Sequence, residues 1–129
     1  MNFMVLNTGP TAAITDLVSG MYLPSSFATP GATVNESFVP QGWMTTPATI
    51  KLYDNVIRHN CRTCHVSQTG FTDWGSFTSF TMEQHMATYV CSPGSVAMPH
   101  AEVPSRRYWN SGARAHLLNA MNLHLACAP

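Results

Sequence analysis

Charge is scarce in this sequence: only 9% of its residues are Asp, Glu, Lys or Arg, and the two signs balance at six each. No basic stripe is available to neutralise phosphates, which argues against a nucleic-acid partner. Little charge also means little long-range steering, so docking to a partner is expected to depend weakly on salt. Long apolar runs are missing too. Nothing approaches the roughly 20 residues of a membrane-spanning helix, so no transmembrane segment is expected in this chain. No segment alternates apolar and polar residues with the period of a half-buried strand, which leaves an all-α fold as the expectation. The opening stretch, MNFMVLNTGPTAAITDLVSG, has neither the basic start nor the apolar core of a signal peptide. If the protein is exported, its signal has been removed or the chain is a fragment of a larger protein.

What is present suffices for a core. Apolar residues make up 45% of 129 positions, enough for one compact domain. Residues 1–45 are rich in Pro, Gly, Thr and Ser and read as an N-terminal strap. Ile14, Leu17, Val18 and Met21 recur at helical spacing, which predicts one short helix over about Thr11 to Met21. Beyond it the strap is expected to be extended with turns, and Phe27, Phe38 and Trp43 favour packing over a free linker.

The domain proper is expected at 46–129. Thr46 is placed to cap a helix whose first residue is Pro47. Ile50, Tyr53 and Ile57 then form a stripe leading toward Cys61 and Cys64. A second helix is predicted over about 76–90, with Met82, Met86, Tyr89 and Val90 on one face. Ser105 is expected to cap a short turn, RRYW, interrupted at 110–112. A last helix over about 113–125 turns Leu117, Leu118, Met121 and Leu125 inward.

Cysteine is also sparse, with four in the chain, and two of them stand in HNCRTCHVSQ. Cys61, Cys64 and His65 form a C-x-x-C-H motif, the pattern of c-type haem attachment. The chemistry accounts for the spacing. Two thiols one helical turn apart add to the two vinyl groups of one haem, and the next residue presents an imidazole to the iron. His65 would bind through one ring nitrogen and donate a hydrogen bond from the other. A structural zinc site would want a second closely spaced ligand pair, whereas Cys91 and Cys127 stand apart. A thioredoxin-like redox pair would want strands alternating with helices around the motif. A chance match in a buried helix is the remaining alternative.

With these residues in view, the chain resembles the class I cytochromes c, monohaem electron carriers. LYDNVIRHNCRTCH matches the family's first helix running into its haem motif, AMPH its methionine–proline loop, and RAHLLNAMNLHL its final helix. The sequence also resembles monohaem domains at the C-terminal ends of larger exported bacterial proteins. The likeness covers about residues 46–127. It implies helices packed around one covalent haem c, with Cys61, Cys64, His65 and Met98 as the cofactor-binding residues and His65 and Met98 on the iron. Two features depart from the family. Class I members usually carry a proline after the motif whose carbonyl accepts the hydrogen bond of the iron-bound histidine, but here no proline occurs between His65 and Pro93. Only 32 residues, 66 to 97, separate His65 from Met98.

Met98 stands before Pro99 in a loop, where an extended backbone can present a ligand; His100 is the alternative, and an open sixth position the third. Met82, Met86 and Met121 sit at core spacing instead. Phe71, Trp74, Phe77, Phe80, Tyr89, Tyr108 and Trp109 are candidates for the pocket wall, and Arg62, Arg106, Arg107 and Trp109 for the haem propionates. In an exported protein the two remaining cysteines, Cys91 and Cys127, read as a disulfide; two unrelated buried thiols are the alternative. The bridge would close a loop of about 37 residues, worth on the order of 3–4 kcal/mol in the chain-entropy model. The expected function is one-electron transfer between redox protein partners, in the periplasm or otherwise outside the cytoplasm, by a carrier rather than an enzyme. A haem enzyme or gas-binding sensor with an exchangeable sixth ligand, and an electron-relay domain of a larger oxidoreductase, are the competing readings.

Overall fold

The computed structural model describes residues 11–22, 30–66, 68, 73–82 and 102–121, which are mostly helical and include no strand. Helix α1 is Ala12–Tyr22. After the strap comes a 3-10 turn, Gln41–Trp43. Residues 47–65 form one unbroken helical rod in three parts: α2 at Pro47–Leu52, a π-helix at Tyr53–Cys61, and α3 at Arg62–His65. Short α4, Phe77–Thr81, follows, then α5 at Glu102–Asn110 and α6 at Ala113–Met121, both packed on the π-helix. None of the described helices is long and apolar enough to cross a membrane.

The rod begins where the sequence says it should. The Thr46 hydroxyl accepts from the Thr49 N–H at 3.2 Å, and the Thr46 N–H donates to the Thr49 hydroxyl at 3.0 Å, a reciprocal capping box. Pro47 occupies the first helical position, where its missing N–H costs nothing. The switch to wider π turns after Leu52 has a local contribution. Asn55 Nδ2 donates to the Lys51 carbonyl at 2.8 Å and Asn60 Nδ2 to the Val56 carbonyl at 2.9 Å, each taking the oxygen four residues back. Side-chain amides that occupy those acceptors compete with the α ladder. At the far end of the π-helix the Arg62 N–H reaches five residues back, to the Ile57 carbonyl.

The core combines an aromatic group with aliphatic side chains. Trp43 is fully buried, with Tyr53, Phe77 and Phe80 around it at ring separations of 5.4, 5.8 and 5.5 Å. Leu52, Val56, Ile57, Ala113, Leu117 and Leu118 complete the same cluster, together with Val39 of the strap. The described end of the strap is therefore packed into the core: Val39 and Trp43 are members of it. Close contacts lock it there. A Cβ at Gly42 would lie 2.6 Å from Ser76 Cβ, and one at Gly75 2.6 Å from Ala13 Cβ, so the 3-10 turn, the 75–76 turn and α1 touch with no room for a side chain.

Two elements differ from the sequence expectation. Residues 102–110 form a full helix where a short capped turn was expected; Pro104 falls within its first turn, where no N–H is needed, and Ser105 lies inside it. Met82 is the C-cap of α4 and is exposed, where helical spacing placed it in the core; the chain leaves the helix at that residue, and the face it would have shared ends with Phe80. The rest of the predicted second helix, 83–90, and residues 122–125 of the last one lie outside the described residues.

Candidate functional site

The motif residues lie at the last turns of the rod. Cys61 closes the π-helix with φ −122° and ψ −37°, and Arg62–His65 continue as a short α-turn. Neither Cys61 nor Cys64 is in a disulfide. Their surroundings differ. Cys61 is half-buried and packs against the hydrophobic cluster, while Cys64 is exposed. Burial pushes the Cys61 thiol up from 9.0 to about 12, with the nearby Cys64 adding to the shift. The Cys61 thiol therefore holds its proton more tightly than an ordinary cysteine does.

Facing Cys61 from α5 is Tyr108, whose hydroxyl is pushed up by burial and by the Cys61 charge, with Arg114 opposing. Arg107 of the same helix donates to the His59 carbonyl at 3.4 Å, fastening α5 to the rod. Arg62 points back along the rod and donates to the Tyr53 hydroxyl at 3.3 Å; burial raises Tyr53 and this hydrogen bond opposes the shift.

His65 meets the aromatic side. Its ring lies on the indole of Trp74 at a centroid separation of 3.4 Å, with the planes 6° apart. Trp74 is buried and is met edge-on by Phe80 at 5.1 Å and 87°. Its carbonyl accepts the Trp43 indole N–H at 2.9 Å. An aromatic chain therefore runs from Tyr53 through Trp43, Phe80 and Trp74 to His65.

The site fits a planar group bonded to both sulfurs in one respect. Cys61 and Cys64 stand on one turn, one against the core and one open, so a shared group would straddle the boundary between core and solvent. Two buried donors beside that turn, Trp74 Nε1 and Tyr108 Oη, have no hydrogen-bond partner among the described residues.

Among the predicted pocket-wall residues, Trp74, Phe80 and Tyr108 are buried, and Phe77 and Trp109 pack against the core half-covered. Arg106 and Arg107 are exposed, and Trp109 lies under the Arg114 guanidinium at 4.9 Å. Met98, His100, Cys91, Cys127, Phe71 and Tyr89 lie outside the described residues. Among those described, no three His, Cys, Asp or Glu side chains gather as a metal-binding group. The sequence reading named Trp74 only as wall and missed its stack on His65; nothing in the local pattern relates two residues on either side of a glycine-containing loop. Comparison with known proteins finds no matching family model, no curated relative and no solved structure that is similar.

Proposed function

We propose that residues 46–129 are a class I-like cytochrome c domain. In this reading one haem c is held covalently by Cys61 and Cys64 and ligated by His65 and Met98, and the protein passes single electrons between redox partners outside the cytoplasm. The C-x-x-C-H motif at 61–65 carries this reading. The split setting of the two cysteines, one against the core and one open, supports it.

Bound there, haem iron supplies a one-electron couple between ferric and ferrous states. The chain's own residues would hold and tune it. Cys61 and Cys64 would hold the group through thioethers, each S–H adding across a vinyl so that no oxidant would be consumed. His65 offers one ring nitrogen as a neutral imidazole. The Met98 thioether brings no charge and favours the ferrous state, raising the potential. Trp43, Phe80 and Tyr108 keep water from this side of the core, which works in the same direction. A Cys91–Cys127 bridge would anchor the loop that carries Met98.

The test is the protein matured by a haem-attachment system. Its intact mass after denaturation should exceed that of the polypeptide by one haem. The oxidised protein should show the weak long-wavelength band of sulfur-to-ferric-iron ligation, and Met98→Ala should abolish the band, lower the potential and admit carbon monoxide. A bare-chain mass would overturn the proposal. A loaded protein whose spectrum lacks that band would replace Met98 by His100 or an open position, the latter favouring a sensor or enzyme.

A further inference from the structure

The stack of His65 on Trp74 is unusual in its geometry. Aromatic pairs ordinarily settle into offset or edge-to-face arrangements, because the negative faces of two rings repel. Rings 6° from parallel with centroids only 3.4 Å apart are close to a full sandwich. Such an arrangement is favourable when one ring is electron-poor, since the face of an indole attracts positive charge more strongly than that of any other side chain. An imidazole whose nitrogen is bonded to a metal cation is electron-poor in that sense.

Of the two partners, Trp74 is the fixed one. Its carbonyl is tied to the fully buried Trp43 at 2.9 Å. The following turn is shaped by Asp73, whose carboxylate accepts the Gly75 N–H at 2.9 Å. Gly75 is pressed against Ala13, and the Ser76 hydroxyl caps α4. Phe80 blocks the indole from the side. His65, in contrast, ends a short helix and is only half-buried.

A histidine on a metal can rotate about the metal–nitrogen bond, and a hydrogen bond from its second nitrogen to a carbonyl is the usual restraint. The sequence has no proline between His65 and Pro93 to offer the carbonyl that class I cytochromes c use. Stacking restrains a different coordinate: it fixes the plane of the ring while ligation uses its edge.

We propose that Trp74 is the positioning residue of His65, setting the plane of the imidazole and, through the indole face, stabilising the positive charge that ligation to ferric iron places on it. This rests on the haem reading above. The indole favours the oxidised state, so replacing it with an aliphatic side chain of similar burial raises the reduction potential. The ring plane also sets how unpaired spin is distributed over a ferric haem, which the spread of haem methyl proton resonances reports.

The experiment compares wild type, Trp74→Leu and Trp74→Phe as purified. In Trp74→Leu the methyl spread should change and the potential rise; in Trp74→Phe both should lie between Leu and wild type. In the reduced protein the His65 ring protons should move downfield in Trp74→Leu as the indole ring current is lost. Methyl spread, potential and ring-proton shifts all unchanged in both variants would overturn the proposal. If Leu does not fold, the Phe variant carries the same comparison. The intact mass is read on each sample. A chain without haem would defeat the functional reading, yet the His65 ring-proton shift would still show whether the stack exists.

Discussion

The two ends of the rod at residues 47–65 are built on different grounds. The N-terminal end is made locally. Thr46, Pro47 and Thr49 satisfy its exposed backbone groups within four residues of one another, and the Thr49 hydroxyl donates to the Trp43 carbonyl at 2.8 Å. The C-terminal end is a π-helix followed by one α-turn, an arrangement rare in proteins and common near functional sites. It is held from outside: Cys61 against Tyr108, the His59 carbonyl by Arg107, His65 on Trp74. A helix end that carries only structure can be specified by its caps. An end that must present a chosen face takes its geometry from what packs on it.

Trp43→Ala should break both ends together. It removes the ring at the centre of the aromatic cluster and the donor to Trp74, and a buried Trp truncated to Ala costs about 3–5 kcal/mol. Chemical denaturation should show that loss, and the His65–Trp74 stack should weaken with it.

The second effect belongs to the C-terminal end and is read in pH. Where the Cys61 thiol is unmodified, folding holds its proton from 9.0 up to about 12. The folded form then binds more protons than the unfolded one, so this contribution to stability is complete below pH 9.0, declines as pH rises and is lost through about 12. Denaturation midpoints measured across that window should fall. At mildly alkaline pH an alkylating reagent should modify exposed Cys64 well before Cys61. A thioether at Cys61 has no such proton, so its share of the pH dependence should vanish in haem-loaded protein.

Thr46→Ala should touch the N-terminal end alone. Losing the cap costs about 1 kcal/mol, and the stack at the far end should keep its ring-current signature. If it does not, the two ends are coupled more tightly than their contacts indicate.

The smallest effect is expected at Asp54 and Arg58, an i,i+4 pair at 3.2 Å on the π-helix. Partly exposed pairs of this kind contribute about 0.3–0.5 kcal/mol. Asp54→Asn should shift stability by no more than that, and less in high salt.

Much of the fold was legible from short-range signals. The cap at Thr46, the proline after it, the start of α4 near Ser76 and the leucines of α6 are where pattern places them, because each depends on residues within one or two turns. The helix at 102–110 was underread because Ser105 was taken as a cap, although Pro104 fits equally well inside a first turn. Met82 was misread because spacing cannot show where a helix stops. The C-x-x-C-H motif is visible because it is a set of residue types at fixed local spacing, so the residues of the candidate site come from sequence. Their environments do not. That Cys61 faces the core and Cys64 does not follows from the docking of α5, forty residues away in sequence. Sequence by itself determined the helical class, the start of the rod and the trio Cys61, Cys64 and His65, since each rests on local hydrogen bonding, period or covalent reach. Only the tertiary structure decided the π turns' buried face, the sheltered Cys61 thiol and the ring on which His65 lies, since those arise where segments distant in the chain compete for the same space.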